Sequence, residues 1–520
     1  EKYPPTSPSL RLRSGNGEGD KFFTRQSFIS PLPLGEGLGV RAVIQNNIAE
    51  NIAPNNPYLA VMLPSNPLHI ILMKELNFPI VATSGNISDE PICIDENEAL
   101  LRLQNIADLF LIHNRPIVRP IDDSIVRIIQ DQEMILRRAR GYAPLPIPLT
   151  PFMKGGQKEN VIKHKILAVG GHLKNTIAIA HSNQVFISQH IGDLSTKLAR
   201  ESFENIIASF EQLYQFKPEA IACDLHPDYS SSQYAQNYSI PIIKVQHHYA
   251  HILSCMAEND LLDKCPLLGI AWDGTGYGLD GTIWGGEFLQ INPSNFDRIA
   301  HFKPFKLPGG DNAIKSPKRI AIALLYEIFG NDVFEMHHLA PIQSCTPQEL
   351  SILKTMLQKN INTVITTSVG RLFDAISSIL NISHTTNYEG QAAIKLEFAL
   401  EKEISAYYPY EIVNNVIDWT KIIKEILTDV KLGLSLGYIS TKFHNTLCEI
   451  ILSIARQTGH KRVIISGGCF QNKYLLETTI KKLIDAKFSP HWSQKIPPND
   501  GGIALGQIIA AERSFCDVCL

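Results

Sequence analysis

The stretch ILAVGGHLKNTIAIAHSNQVFISQ (166–189) holds three short apolar runs, 166–171, 176–181 and 185–189, parted by polar turns. Short β-favouring runs bounded by Gly, Asn and Ser read as strands joined by tight turns. In the next segment Phe203, Ile206, Ile207, Phe210 and Leu213 fall on one helical face. AIACDL (220–225) and IIKVQ (242–246) then read as strands, with a helix around Ser230–Tyr238 between them and another beginning near QHHYAH (246–251). The order is βββαβαβα.

That order recurs downstream. PLLGIAWDG (266–274), TIWGGEFLQI (282–291) and RIAHFKPF (298–305) read as three strands, followed by a helical insertion over about 315–435. Phe443, Leu447, Ile450, Ile451 and Ile454 stripe the helix 443–459, and Gly459 suits its C-terminal cap. Strand 462–466, helix 474–487, strand 488–492 and helix 501–512 complete the second copy. Two copies of one α/β unit predict two lobes, about 165–262 and 263–515, with corresponding loops facing each other across a cleft. Ahead of them, 55–145 reads as mixed α/β, 146–164 as a proline-bearing linker, and 1–54 as irregular, disordered sequence rich in Pro, Gly, Ser and Asn.

Bulk properties exclude some classes. The 520 residues carry 48 Lys plus Arg against 51 Asp plus Glu, a formal charge of -3. A protein that grips nucleic-acid phosphates shows a basic excess, so no nucleic-acid partner is expected. No apolar run reaches the roughly 18 residues of a membrane span, and no membrane partner is expected. Nine cysteines, with Cys516 and Cys519 as the single C-x-x-C, are too sparse for a disulfide framework and point to a reducing cytoplasm. That pair is read as part of a frayed tail, and no structural zinc finger is expected in this chain.

His247 and His251 stand one helical turn apart where a buried strand hands over to a helix, so two imidazoles share a face and can meet one metal ion. By the duplication, Asp500 in PPNDGGIALGQ (497–507) is the second-lobe counterpart of this position and can supply an oxygen ligand, or serve as a helix cap. Asp273 opens DGTGYGLDG (273–281), whose Gly274 and Gly276 permit close backbone approach to an anion. GGHLKNT (170–176), with Lys174 and Asn175, and SGGCFQN (466–472), with Gly467, Gly468 and Asn472, are matching glycine turns. Three such turns at corresponding strand ends predict a nucleotide cleft, and the mixed His and Asp donors suit one divalent cation, zinc or iron. In the front segment, Thr83, Ser84 and Asn86 of TSGNISDEP (83–91), with Arg119 and Arg127, are candidate anion ligands.

These motifs resemble a family. LPSNPLH (63–69), VATSGNISDEP (81–91), IADLFLIHNRPIVRPIDDS (106–124) and RRARGYAP (137–144) look like the back half of the YrdC-like domain of the HypF carbamoyltransferases of hydrogenase maturation. The turns above, with LPGGDNA (307–313), VGRLFDAISSIL (369–380) and YEGQAA (388–393), look like their Kae1-like domain. The resemblance implies a partial YrdC-like α/β domain followed by a duplicated, two-lobed actin/Hsp70-like (ASKHA, Kae1-like) domain. It implies that carbamoyl phosphate and ATP form a carbamoyl adenylate, whose carbamoyl group passes to the C-terminal cysteine of HypE for cyanide ligand synthesis. Carried over by motif, His247, His251, Asp273 and Asp500 would surround the metal. Lys174, Asn175, Gly390, Gly467, Gly468 and Asn472 would line the nucleotide cleft.

Departures from the family pattern accompany the match. The acylphosphatase-like domain, the zinc fingers and the front half of the YrdC-like domain have no counterpart in the chain, His172 replaces a usual Glu, and Tyr249 interrupts a run that is often all histidine. Two rival readings stand beside this one, a tRNA threonylcarbamoyl-adenosine synthesis enzyme and a truncated, non-catalytic nucleotide-binding remnant. The charge balance counts against the first.

Overall fold

A computed structural model describes residues 52–517, apart from 54–55, 89, 145, 150–151, 155–156 and 160. The irregular segment read over 1–54 therefore lies almost wholly outside the described residues, as does Cys519. The chain forms two compact units, one ending at Pro120 and the other running from Ile121 and also taking in 89–91. The segment read as one front domain, 55–145, is thus divided between them.

The first unit contains helix α1 (Pro67–Leu76), capped by the Asn66 side chain, and helix α2 (Glu96–Leu103), capped by Asp95. Neither helix has a buried residue. No named strand occurs among its described residues; the apolar runs 59–63 and 78–83, which fit strands in a mixed α/β segment, carry no strand assignment.

The second unit begins with a hairpin, β1 (Ile125–Ile129) and β2 (Gln132–Arg137). Gln130 and Asp131, both at positive φ, make its two-residue turn. The expected linker is more ordered than its prolines suggested. Strand β3 (Pro146–Pro148) pairs antiparallel with the first-lobe sheet, and β4 (Phe152–Lys154) and β5 (Gln157–Glu159) form a small hairpin. Proline lacks an N–H, so β3 sits where such a strand is tolerated, at the sheet edge.

The first lobe is a six-stranded sheet in the order β10-β9-β6-β7-β8-β3. Its strands are β6 (Ile166–Ala168), β7 (Ala178–His181), β8 (Gln184–Ile187), β9 (Ala220–Asp224) and β10 (Ile242–Val245). Helix α3 (Lys197–Leu213), capped by Thr196, lays Phe203, Ile206, Ile207 and Phe210 into a core shared with β6, β7 and β9. Leu213, expected on that face, is exposed in the last turn. Helices α4 (Ser230–Ala235) and α5 (His247–Glu258) complete the lobe, and every residue of α5 but Glu258 is buried.

The second lobe is built on β11 (Leu267–Tyr277), β12 (Ile283–Ile291) and β13 (Phe296–Phe302), with β18 (Arg462–Ser466) and β19 (Ser489–Trp492) added in parallel beyond β11. The insertion read as helical also contributes strands. β15 (Thr363–Thr366) pairs with both β12 and β14 (Phe305–Pro308), while β16 (Glu411–Val413) and β17 (Val416–Asp418) extend the other edge into nine strands. Its helices include α6 (Pro317–Phe329), α7 (Pro347–Lys359), α8 (Val369–Ile379), α9 (Gln391–Phe398) and α10 (Thr420–Lys431). Helix α11 (Leu436–Thr458) is capped by Ser435 and ended by Gly459 at φ 71. Helices α12 (Lys473–Asp485) and α13 (Ile503–Asp517) close the chain. The α13–α5 pair packs so closely that a Cβ on Gly506 would stand 1.9 Å from the Ala250 carbonyl oxygen. Both helices share a core with β11, β18 and the first sheet, which ties the lobes together.

Candidate metal centre and cleft

Helix α5 starts two residues after β10, with the Gln246 side chain accepting the Tyr249 N–H as its cap. This places His247 and His251 on one buried face. Asp273 lies in the buried part of β11, and Asp500 enters on the turn before α13. Donor atoms of these four residues lie within 4.8 Å of one another. His251 Nε2 is 2.8 Å from Asp273 Oδ2, and His247 Nε2 is 3.6 Å from both Asp273 Oδ2 and Asp500 Oδ1.

Asp500 is held by contacts between the lobes. The Gln507 amide spans Gly170, accepting its N–H at 2.8 Å and donating to its carbonyl at 3.1 Å, and Thr176 Oγ1 donates to the Gly501 carbonyl at 3.0 Å. Gly171 lies beside the carboxylate, its Cβ position 3.4 Å from Asp500 Oδ2, an ordinary contact distance. Opposite, a Cβ on Gly468 would reach 2.7 Å from Asp273 Oδ1. The neighbouring Gly467 sits at φ 105 with its Cβ position against Trp272 backbone, so only glycine forms this turn.

The donor set fits a divalent cation. His247 Nε2 is buried yet has no hydrogen-bond partner, and its 3.6 Å separations are too long for hydrogen bonds. Two carboxylates and two neutral imidazoles would balance a charge of two and suit zinc or iron. Without a cation the charges bear on the protons. Burial disfavours an imidazolium at His247, but Asp500 and Asp224 outweigh it and raise its pKa well above the ordinary value. Burial likewise works against ionised Asp273, but the hydrogen bond from His251 and the charges of His251 and His247 outweigh it and hold its carboxyl well below the usual range.

The other predicted residues divide between cleft surface and scaffold. Lys174 Nζ pairs with Glu389, an ion pair between a first-lobe turn and the insertion. Burial disfavours that ammonium, but Glu389 and Asp500 more than offset it and keep it protonated. Gly274 borders the same spot: a Cβ there would meet Arg371 Nη2 at 3.2 Å and Glu389 Oε1 at 3.3 Å. Gly276 is packed against His248 and His247, with no room for a Cβ. Gly390 caps α9 at φ 77.

Asn175 is fully buried, and its amide donates to the Val169 and Gly171 carbonyls, shaping the turn from within. Asn472 caps α12 through Leu475 N–H and donates to His444 Nε2. Thr83 and Ser84 are exposed in the first unit, where Asn86 and Arg119 also lie. Arg127 lies in the second unit, bound to Glu397 at 2.7 Å and to the Gln471 carbonyl at 2.8 Å. The five front-segment candidates are therefore not gathered on one unit. Sequence reading also missed Asp224, Arg371 and Glu389, which line or back the centre from separate segments.

Fold and site together define a duplicated, two-lobed α/β protein with a His2Asp2 centre where the lobes meet. Residues 162–258 match the family described as HypF Kae1-like domain, and 269–507 match the carbamoyltransferase Kae1-like domain, second subdomain. Residues 39–139 match the Sua5/YciO/YrdC family, described as telomere recombination. The carbamoyltransferase HypF of Synechocystis is 48% identical over 489 residues, covering 91% of this chain and 62% of that protein. A HypF homologue of Cupriavidus necator is 32% identical over 365 residues, covering 67% of this chain and 91% of the relative. A crystal structure of full-length HypF in the phosphate- and nucleotide-bound form superposes with a TM-score of 0.83 at 43% identity, covering 89% of this chain and 72% of the other. The chain belongs to the carbamoyltransferase HypF family. It spans about three-fifths of the Synechocystis relative's length. Among the described residues no helix is long and apolar enough to cross a membrane.

Proposed function

We propose that this chain carries the transferase step of the HypF reaction, moving a carbamoyl group from carbamoyl adenylate to the C-terminal cysteine thiol of HypE. The adenylate derives from carbamoyl phosphate and ATP. The observation that carries this reading is the convergence of His247, His251, Asp273 and Asp500 beside the glycine turns at 170–171, 274–276 and 467–468. A nucleotide in the cleft is supported by the relative crystallised with phosphate and nucleotide.

In the step, the HypE sulfur attacks the carbamoyl carbon. A C–S bond forms, the C–O bond to the adenylate phosphate breaks, the nucleoside monophosphate leaves with that electron pair, and the thiol proton passes to solvent. The four ligands would hold a zinc or iron ion, which supplies a positive charge beside the acyl group and the departing phosphate. Lys174, kept charged by its acidic neighbours, adds a second cation at the cleft wall. The glycine turns let the nucleotide approach backbone N–H groups closely. The buried setting makes each of these charges count for more than it would in water.

Purified chain supplied with preformed carbamoyl adenylate and HypE should add one carbamoyl mass to the HypE C-terminal cysteine. Replacing His247 and His251 with Ala should lower the rate by roughly a hundredfold or more, the scale of losing a principal electrostatic group. Folded, metal-replete wild type that transfers nothing would overturn the proposal and leave the nucleotide-binding remnant as the better reading.

A further inference from the structure

We infer that Asp224 is a positioning residue of the metal centre, holding the His247 ring so that Nε2 faces the cation. The inference rests on reading the His2Asp2 cluster as a metal centre. Asp224 Oδ2 lies 2.8 Å from His247 Nδ1, and both side chains are wholly buried. An ionised carboxylate only accepts hydrogen bonds, so Nδ1 donates to it, and Nε2 is the nitrogen left to offer its lone pair when a cation binds. Nε2 is the buried nitrogen without a hydrogen-bond partner, and it faces Asp273 and Asp500. A carboxylate on one imidazole nitrogen with the other left for a metal is the arrangement by which proteins fix a ligand's tautomer and direction.

The fold explains how this carboxylate reaches its place. β9 and β10 pair in parallel with Asp224 beside Val245, so the start of α5 two residues later comes within reach. Asp224 is held on its other side as well: Oδ1 accepts the His226 N–H at 2.9 Å, and its backbone carbonyl accepts from Ser232 Oγ at 3.1 Å. A buried carboxylate is costly to desolvate, and a neutral group would fill a purely structural role with less penalty. His247 is the side-chain partner that compensates it.

The test is a Co2+ titration of the purified full chain, followed by visible absorption with a competing chelator. Asp224→Ala should bind Co2+ about 10- to 100-fold more weakly than wild type, with an altered absorption band. Asp224→Asn should fall between them, because its amide oxygen preserves the orientation but not the charge. Wild-type affinity in folded Asp224→Ala, or a loss that only tracks the unfolded fraction seen by circular dichroism, overturns the inference. Should the alanine variant fail to fold, unchanged affinity in Asp224→Asn overturns it. Wild type that binds no Co2+, or binding that survives His247→Ala, would instead sink the metal reading on which the inference stands.

Discussion

The two compact units differ most in what they bury. Among the described residues of the first unit none is buried, and Val61, Leu63, Val81, Leu101, Ile106 and Val118 are each more than 70% exposed. The second unit fills three apolar clusters around its two large sheets. Both segments have apolar runs of similar quality, so hydrophobicity alone does not decide burial. The second unit contains both copies of its repeat, and each sheet finds helices for its faces. Among its described residues the first has two short helices and no named strand, so those residues do not by themselves close a layer over their apolar side chains.

The largest effect that would sharpen this contrast comes from the second core. Phe443 is fully buried against Phe373, with ring centroids 5.3 Å apart. Phe443→Ala should cost about 3–5 kcal/mol in urea unfolding. A loss below about 1 kcal/mol would mean that the packing around α11 is looser than its burial implies.

Acid should act next. His444 is fully buried beside Phe443, its Nδ1 2.7 Å from the Ser440 carbonyl and its Nε2 accepting from Asn472, and burial pushes its pKa down to about 4. The unfolded imidazole, near the usual 6.5, binds its proton more readily. The stability this neutral ring contributes is therefore complete above about pH 6.5 and is lost as pH falls through about 4, on the order of 3 kcal/mol in all. His444→Gln should flatten that part of a stability–pH curve. An unchanged slope would assign the acid sensitivity elsewhere.

The smallest effect belongs to the first unit. Val118→Ser or Leu63→Ser should move stability by no more than about 0.5 kcal/mol, as substitutions of exposed residues do. A destabilisation above 1 kcal/mol would break the comparison, because it would show these side chains to be covered in solution.

The duplicated strand order was legible because strand and helix periods switch cleanly in both lobes, and the histidine helix was legible because i, i+4 spacing survives any tertiary context. Asp500 was found through the duplication, by matching positions rather than by its own surroundings. Asp224 was not found, since a single Asp ending a strand carries no local signal; only the β9–β10 register brings it to His247. Arg127 was grouped with the front segment by proximity in sequence, yet the chain turns at Ile121 and spends this side chain on Glu397, 270 residues away. Asn175 and Asn472 sit in glycine turns of the right kind, but nothing in the sequence tells an amide that faces a ligand from one that braces the turn. The insertion's strands were missed because β15, β16 and β17 are three or four residues long and borrow their order from a sheet assembled elsewhere.

The residues of the proposed metal centre are spread along the chain: His247 and His251, then Asp273, then Asp500 after the whole insertion and the last two strands of the sheet. In a chain whose α13 has not docked, a cation there would meet three donors instead of four. On the proposed reading, full-strength cation binding would therefore require both lobes, and a chain with a damaged second lobe should bind metal more weakly than the intact one. Metal affinity would then report whether the two distant copies of the repeat have come together.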